Sequence, residues 1–241
     1  MFRDFVELCG DRLYGNDTSI IGGIAEYDGV PVTVIGQIRG NTLEENIKFN
    51  FSMSKPEGYR KALRLMKQAE KFHRPVICFV DTLGAYPGEE AEERGQGSAI
   101  ANCLMESLNL QTVIISVLIG NGGSGGALAF CVADKIFALE NAMLGVISPK
   151  ACSNILWKDF SREAEAAELL KMTADHLKNY GIIDGIIPEP PGGAQVNPQL
   201  TAKEVDKVIS ASMFQLMKVP VKKLVKERIF KFQTIGREYL S

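Results

Sequence analysis

The sequence is poor in the residues that most often carry metal or acid–base chemistry. Its 241 residues include two histidines, and its five cysteines contain no Cys-X-X-Cys pair. So few histidines argue against a histidine general base or a histidine-ligated metal. An odd number of dispersed cysteines argues against a disulfide framework. We therefore expect reduced, mostly buried thiols and no metal in this chain.

Long apolar runs are also absent. Val76–Val80 is one of the longest, far below the roughly 18 residues that a membrane-spanning helix needs. The chain begins Met1-Phe2-Arg3-Asp4, with an acidic residue where a signal peptide would begin its apolar core. We expect a cytoplasmic protein with no membrane partner.

The composition is that of a globular protein, with 46% apolar residues, 27 basic and 29 acidic side chains. It predicts a single domain over residues 1–241. Its end, from about 218 to 241, carries seven basic residues and two acidic ones. Apolar residues recur there at helical spacing, so we expect a basic amphipathic helical tail that docks on this chain or on a partner. Without a basic domain or an aromatic platform, we do not expect nucleic-acid binding.

The order of predicted elements is typical of an α/β protein. Two β-prone runs, Ile20–Tyr27 and Val30–Ile38, are joined by Asp28-Gly29, which predicts a hairpin. Pro56 opens a helix that ends near His73. The further predicted elements are a strand at Val76–Val80, a helix containing Ile100 and Cys103, a strand at Thr112–Ile119, a glycine-rich turn at Gly120–Gly126, a helix at Ala127–Ala133, a strand at Lys135–Leu139, a helix around Arg162–Tyr180 and a strand near Ile182–Ile187.

Two glycine-rich segments follow buried strands in this pattern. One contains Gly84 and Gly88, and the other is Gly120–Gly126. Glycine lets a substrate oxygen approach backbone N–H groups, and a helix N-terminus aims its donors and dipole at negative charge. The segments therefore predict a site for an anion. The alternative, that Gly125 and Gly126 only let a helix pack closely, stays open.

The second glycine segment also satisfies Gly-X-Gly-X-X-Gly. Glu140 lies about 20 residues further on, where a dinucleotide site needs a carboxylate. However, the helix between this segment and the next strand has room for only about ten residues, and a crossover normally takes a dozen or more. We therefore do not expect a nicotinamide-dependent dehydrogenase.

Several strings in this order resemble one family. They are Glu57-Gly58-Tyr59-Arg60-Lys61-Ala62-Leu63-Arg64-Leu65-Met66, Gly84-Ala85-Tyr86-Pro87-Gly88, Ala91-Glu92-Glu93-Arg94-Gly95-Gln96, Gly122-Gly123-Ser124-Gly125-Gly126-Ala127-Leu128 and Ile155-Leu156-Trp157-Lys158. The family is the α subunit of bacterial acetyl-CoA carboxylase carboxyltransferase, and the likeness runs from about Asp11 to Pro198. It implies an α/β fold of the crotonase-like (ClpP/crotonase) type, a spiral of ββα units.

The resemblance also implies a reaction. A carboxyl group moves from carboxybiotin to acetyl-CoA and gives malonyl-CoA, the first committed step of fatty acid synthesis. By similarity, the backbone N–H groups of Gly125 and Gly126 form the oxyanion hole, while Gly84, Ala85, Gly122 and Gly123 bind substrate. No side-chain base is required, which agrees with the shortage of histidines.

The implied partners make up a larger, ATP-dependent complex. They are a carboxyltransferase β subunit with its own zinc ribbon, in an α2β2 heterotetramer, together with biotin carboxylase and the biotin carboxyl carrier protein. Biotin belongs to the carrier and is not covalently attached to this chain.

The sequence departs from the family pattern at several places. Leu83 stands where the family usually has proline, Glu89-Glu90 replaces a small apolar residue and glycine, Asn121 replaces glutamate, and Lys150-Ala151 replaces Glu-Gly. The N-terminal helical region of most members is also missing. Two alternatives therefore stay open: a non-catalytic structural or regulatory paralogue, and a carboxyltransferase or decarboxylase subunit for another acyl-CoA. We further expect valine at Gly125 or Gly126 to abolish transfer and leave the fold largely intact.

Overall fold

An eight-stranded mixed sheet organises the protein in this computed structural model, which describes residues 1–237. The strands are β1 (Arg3–Glu7), β2 (Ile20–Tyr27), β3 (Val30–Gln37), β4 (Val76–Thr82), β5 (Ile114–Gly123), β6 (Lys135–Leu139), β7 (Met143–Gly145) and β8 (Gly185–Ile187). The helices are α1 (Leu43–Lys48), α2 (Pro56–Lys71), α3 (Glu89–Glu93), α4 (Gln96–Asn109), α5 (Ser124–Cys131), α6 (Pro149–Trp157), α7 (Glu163–Leu170), α8 (Ala174–Asn179), α9 (Pro198–Leu216) and α10 (Val221–Thr234).

The sheet has an antiparallel part and a parallel part. Its order is β1-β2-β3-β4-β5-β6-β8, and β7 pairs with the end of β5. The predicted hairpin is confirmed: β2 and β3 are antiparallel, and Tyr27 pairs with Val30. Asp28 and Gly29 have φ of 50° and 78°, as a type I′ turn requires. From β3 onward the neighbouring strands are parallel.

Helices α2 and α5 pack on the central strands, and α4 packs on both of these helices. The predicted helix beginning at Pro56 is confirmed, and it buries Tyr59, Ala62, Leu65 and Met66 in the core. The core segments of β4 and β5 are almost wholly buried, which explains their unbroken apolar sequences. Because β4 and β5 are parallel neighbours, both end at the same edge of the sheet.

Two predicted elements are wrong in their boundaries. The helix expected around Arg162–Tyr180 is interrupted, because α7 ends at Leu170 and Lys171 takes φ of 50° before α8. The turn expected at Gly120–Gly126 does not form either. Instead β5 runs to Gly123 and α5 begins at once with Ser124. Helices α1, α3, α6 and α9 and strands β1 and β7 were not predicted from the sequence.

The C-terminal helix α10 docks on the sheet and on α4. Leu224 is buried, and the guanidinium of Arg228 reaches Asp134 at 2.7 and 2.8 Å. The predicted tail extends to residue 241, so residues 238–241 lie outside the described part. The division of the chain into one domain with a tail stays a prediction. Between residues 1 and 237, no helix combines the length and the apolar character that crossing a membrane would take.

Candidate functional site

The candidate site lies where β4 and β5 end side by side. Thr82 and Gly122 pair across these strands. The chain leaves β4 through residues 83–86, which we call the β4 loop, and leaves β5 directly into α5. Parallel pairing thus brings together two glycine segments that are far apart in the sequence.

Neighbouring atoms leave no room for a side chain at Gly120 and Gly123, near the end of β5. A Cβ on Gly120 would lie 2.6 Å from the Asp81 carboxylate, and one on Gly123 would overlap the carbonyl oxygen of Leu83. Both neighbours belong to the end of β4 or to its loop. The glycines therefore allow two chain segments to touch, and the strand continues where a free turn was expected.

Gly125 and Gly126 differ in their surroundings. A Cβ on Gly126 would lie 2.6 Å from the nitrogen of Ala85 and from the carbonyl carbon of Gly84. A Cβ on Gly125 would meet only Ile100, at an ordinary 3.5 Å. Any side chain at Gly126 would therefore push the β4 loop away, so we expect valine there to disturb the loop, whereas valine at Gly125 has more room.

The β4 loop has its own hydrogen bonds. Gly84 has φ of 147°, which a residue with a side chain rarely adopts. Its N–H donates to Oγ1 of Thr82 at 3.1 Å. The N–H of Tyr86 donates to the carbonyl of Ser54 at 3.0 Å. These bonds fix the loop to the end of β4 and to Ser54.

A pocket of about 210 Å³ opens in front of this contact. We call it the strand-end pocket. Of the six glycine or alanine residues proposed from the sequence, Gly122 and Gly123 line it, with Leu83, Asn121 and Ser124 beside them. Gly84, Ala85 and Gly126 lie behind it, at the loop–helix contact, and Gly125 follows Ser124 on α5.

Two helices begin at the strand-end pocket. Gly123 is the N-cap of α5, and no side chain caps that helix. Ser148 caps α6 by accepting the N–H of Ala151 at 3.2 Å, and it lines the opposite wall with Pro149. The first N–H groups of a helix have no partner inside it and carry partial positive charge. The dipeptide Ser148-Pro149 is a typical helix start, and it is the signal that could have predicted α6.

Ser124 is a lining residue that sequence reasoning missed. It has φ of 50°, uncommon for a residue with a side chain, at the sharp passage from strand to helix. Residues Gly122 to Gly126 have the pattern Gly-X-Ser-X-Gly, which is typical of such a passage and could have singled Ser124 out.

The residues that depart from the family pattern lie in different parts of the structure. Leu83 and Asn121 line the strand-end pocket. The backbone N–H of Asn121 donates to Asp81 at 2.9 Å, and Arg39 lies 3.7 Å from the same carboxylate. Lys150 instead lies 5.8 Å from the centre of the Phe160 ring. Among residues 1–237, no three histidine, cysteine, aspartate or glutamate side chains are grouped to hold a metal.

Behind the first turn of α5 lies the phenol of Tyr59. Its oxygen is 2.9 Å from the position that a Cβ on Gly126 would take, and the ring stacks on Phe130 at 5.9 Å. Burial raises the pKa of Tyr59 far above its usual value, and the charge of Asp17 adds to the effect. The hydroxyl therefore keeps its proton.

The amino-acid sequence is similar to those of a known protein family. The family described as acetyl co-enzyme A carboxylase carboxyltransferase-like matches residues 1–236. The chain is 54% identical over 237 residues to the acetyl-coenzyme A carboxylase carboxyl transferase subunit alpha of Clostridium acetobutylicum, covering 98% of this chain and 86% of the relative. It is 55% identical over 237 residues to the protein of the same name from a Geobacillus species, covering 98% and 73%.

Solved structures are similar in fold at low sequence identity. A Pseudomonas malonate decarboxylase hetero-tetramer in complex with coenzyme A contains a chain with a TM-score of 0.75 and 17% identity, covering 94% of this chain and 91% of that one. A transcarboxylase 12S chain has a TM-score of 0.69 and 18% identity, covering 86% and 38%. The crotonase-like α/β fold is confirmed.

Proposed function

The chain belongs to the acetyl-CoA carboxylase carboxyltransferase family, as an α subunit of this biotin-dependent enzyme, and from this premise we propose that it helps transfer a carboxyl group from carboxybiotin to acetyl-CoA. The product is malonyl-CoA. The geometry that carries the proposal is the strand-end pocket, with the first turn of α5 at its edge.

The residues present fit a small, planar, oxygen-bearing group. The pocket of about 210 Å³ has a wall of Gly122 and Gly123, where the backbone is bare. A Cβ on Gly122 would lie 2.9 Å from the carbonyl oxygen of Met143, so the wall cannot carry side chains without moving its neighbours. Biotin, when it is presented here by its carrier protein, supplies the carboxyl group.

In this proposal, backbone N–H groups of this chain stabilise the oxygen that gains negative charge during the transfer. We assign the oxyanion hole to the N–H groups of Gly125 and Gly126, in the first turn of α5, where N–H groups have no helical acceptor. Donors fixed before the reaction stabilise an oxygen that gains charge without reorganising, and losing one such donor typically slows an enzyme by about 10²–10³. No side-chain base is needed.

Substrate contacts are assigned to residues around this turn. Gly122 and Gly123 line the pocket, and Gly84 and Ala85 shape it from behind through the β4 loop. The hydroxyl of Ser124 belongs to the same lining and adds a polar contact.

An exposed apolar surface adjoins the pocket. Val146 follows β7, and Ile155, Leu156 and Phe160 lie on α6 and just beyond it, each more than half exposed. Apolar clusters of this kind mark protein interfaces. We assign this surface to the carboxyltransferase β subunit, in an α2β2 assembly that is completed by biotin carboxylase and the biotin carboxyl carrier protein.

The test is malonyl-CoA formation from acetyl-CoA and carboxybiotin. It is measured with this chain alone, with a zinc-ribbon β subunit alone, and with both. Turnover that occurs only when both subunits are present supports a carboxyltransferase whose active site is shared between them. A stable complex without turnover on acetyl-CoA contradicts the proposal, and the same assay with other acyl-CoA thioesters then separates a different substrate from a non-catalytic paralogue.

A further inference from the structure

Three buried polar atoms stand out in the described part of the chain because they have no hydrogen-bond partner. They are Oε1 of Gln37, the hydroxyl of Tyr59 and Oε1 of Gln96. The Tyr59 hydroxyl interacts weakly with the Ser54 side chain, outside the geometry of a hydrogen bond. They come from three different elements, β3, α2 and α4. An unpaired buried polar atom lowers stability, so each one in a folded protein requires an explanation.

All three side chains face the contact between the β4 loop and α5. Nε2 of Gln37 donates to the carbonyl of Gly126 at 3.2 Å. The hydroxyl of Tyr59 and the nitrogen of Ala85 lie 2.9 and 2.6 Å from one point, the position of a Cβ on Gly126. Nε2 of Gln96 donates to the carbonyls of Ser54 and Tyr86, both at 2.9 Å. We call these three side chains the polar collar.

Another buried tyrosine shows that the fold can satisfy such a group elsewhere. The phenol of Tyr27, also fully buried, bonds to the carboxylate and the carbonyl of Asp206 at 2.8 and 2.9 Å. The unpaired atoms are therefore not a general property of this core. They are concentrated around one helical turn.

We propose that Gln37, Tyr59 and Gln96 are positioning residues that set the spacing between the β4 loop and the first turn of α5. Gln37 anchors the turn through Gly126, Gln96 anchors the loop through Tyr86, and the Tyr59 hydroxyl fills the space between them. None of the three touches substrate, because all are buried. The proposal rests on the proposed function, since the turn it positions carries the assigned oxyanion donors.

Tyr59→Phe is the sharpest test, and Tyr27→Phe is its matched control. Both variants remove one hydroxyl from a fully buried ring. In the complex with the β subunit, we expect Tyr59→Phe to lower kcat about tenfold, because a misplacement of about 1 Å can cost about 10² and the shift expected here is smaller. KM for acetyl-CoA should change less than about twofold. The melting temperature of Tyr59→Phe should fall less than that of Tyr27→Phe, because the Tyr59 hydroxyl interacts only weakly with Ser54, whereas the Tyr27 hydroxyl bonds to Asp206. Tyr27→Phe should lower the melting temperature and leave kcat unchanged.

A second readout does not depend on turnover. Amide hydrogen exchange in the complex should become faster over residues 124–131 in Tyr59→Phe and in Gln37→Leu, and stay unchanged there in Tyr27→Phe. Wild-type kcat in Tyr59→Phe, or a melting temperature lowered as much as in Tyr27→Phe, would overturn the proposal, as would unchanged exchange over this segment. If the wild-type complex has no turnover, the proposed function fails, and exchange and melting still decide the positioning role.

Discussion

Two buried polar regions of this protein are built in opposite ways. At α10, the guanidinium of Arg228 donates to both oxygens of Asp134 and to the carbonyls of Ser107, Leu110 and Thr112, at 2.7–2.8 Å. We call this region the ionic clasp. Around α5, each side chain of the polar collar keeps one atom unpaired.

The ionic clasp stabilises the fold, whereas the polar collar positions the β4 loop against the first turn of α5. A buried charge is tolerated when its partners are complete, and the ionic clasp meets this condition while it ties α10 to α4 and to the start of β6. The polar collar contains no charge, and Gln37 and Gln96 each donate hydrogen bonds there, but every side chain of the collar also buries one atom without a hydrogen bond. Stability therefore does not fully explain these side chains. They are explained by where they hold Gly126 and the β4 loop.

Breaking the ionic clasp should have the largest effect on stability. Arg228→Leu leaves the Asp134 carboxylate buried without its partner, so we expect the free energy of unfolding to fall by about 3–5 kcal/mol in urea denaturation. Activity per folded molecule should not change. Burial already raises the pKa of Asp134, and loss of the arginine should raise it further.

Two comparisons check this prediction. Lys223→Ala removes an exposed ion pair with Glu227 and should cost about 1 kcal/mol or less. The double variant Arg228→Leu, Asp134→Leu should recover most of the lost stability, because no charge then remains buried. If the double variant is no more stable than Arg228→Leu alone, the missing charge balance is not the cause.

Alanine at the two neighbouring glycines should have unequal effects. Gly126→Ala places its Cβ 2.6 Å from the β4 loop, so we expect a loss of about 1–3 kcal/mol in unfolding free energy together with a fall in kcat. Gly125→Ala has an open position and should be neutral or up to about 1 kcal/mol more stable, because alanine favours a helix.

Thermal and urea unfolding measure this difference, and turnover of the complex is followed in parallel. Equal losses of stability at both positions would contradict the close contact between Gly126 and the β4 loop. Normal turnover in both variants would remove the assignment of the oxyanion donors to this turn.

The smallest expected effect concerns charge in the strand-end pocket. Asn121→Glu adds a carboxylate near Asp81, whose charge is balanced by the half-exposed Arg39. A charge pair at about 4 Å in water is worth about 1 kcal/mol, so KM for malonyl-CoA in the reverse reaction should rise about fivefold. KM for acetyl-CoA, which lacks the extra carboxylate, should rise less.

Asn121→Gln is the neutral control and should leave both constants unchanged. The difference between malonyl-CoA and acetyl-CoA should shrink as salt is added, because an exposed charge is screened. An equal rise for both substrates would mean that the added carboxylate acts on the CoA moiety that they share.

The sequence predicted the elements with strong local signals. Asp28-Gly29 specified a hairpin, and Pro56 with its apolar stripe specified α2, because turn chemistry and periodicity act over a few residues. Lys171 was missed as a break, since nothing in its neighbours excludes a continued helix. The glycines at the end of β5 were read as a turn, because their contacts with residues 81–85 cannot be seen locally.

The α/β order, the family strings and the two glycine segments can be read from the sequence, because each depends on neighbouring residues alone. The contact of Gly126 with the β4 loop, and the placement of Gln37 and Tyr59 behind one helical turn, come from the folded structure. Gln37 and Gly126 are 89 positions apart, and they meet because β3, β4 and β5 lie side by side in the sheet. Packing between distant segments sets the site, and no local pattern encodes that packing.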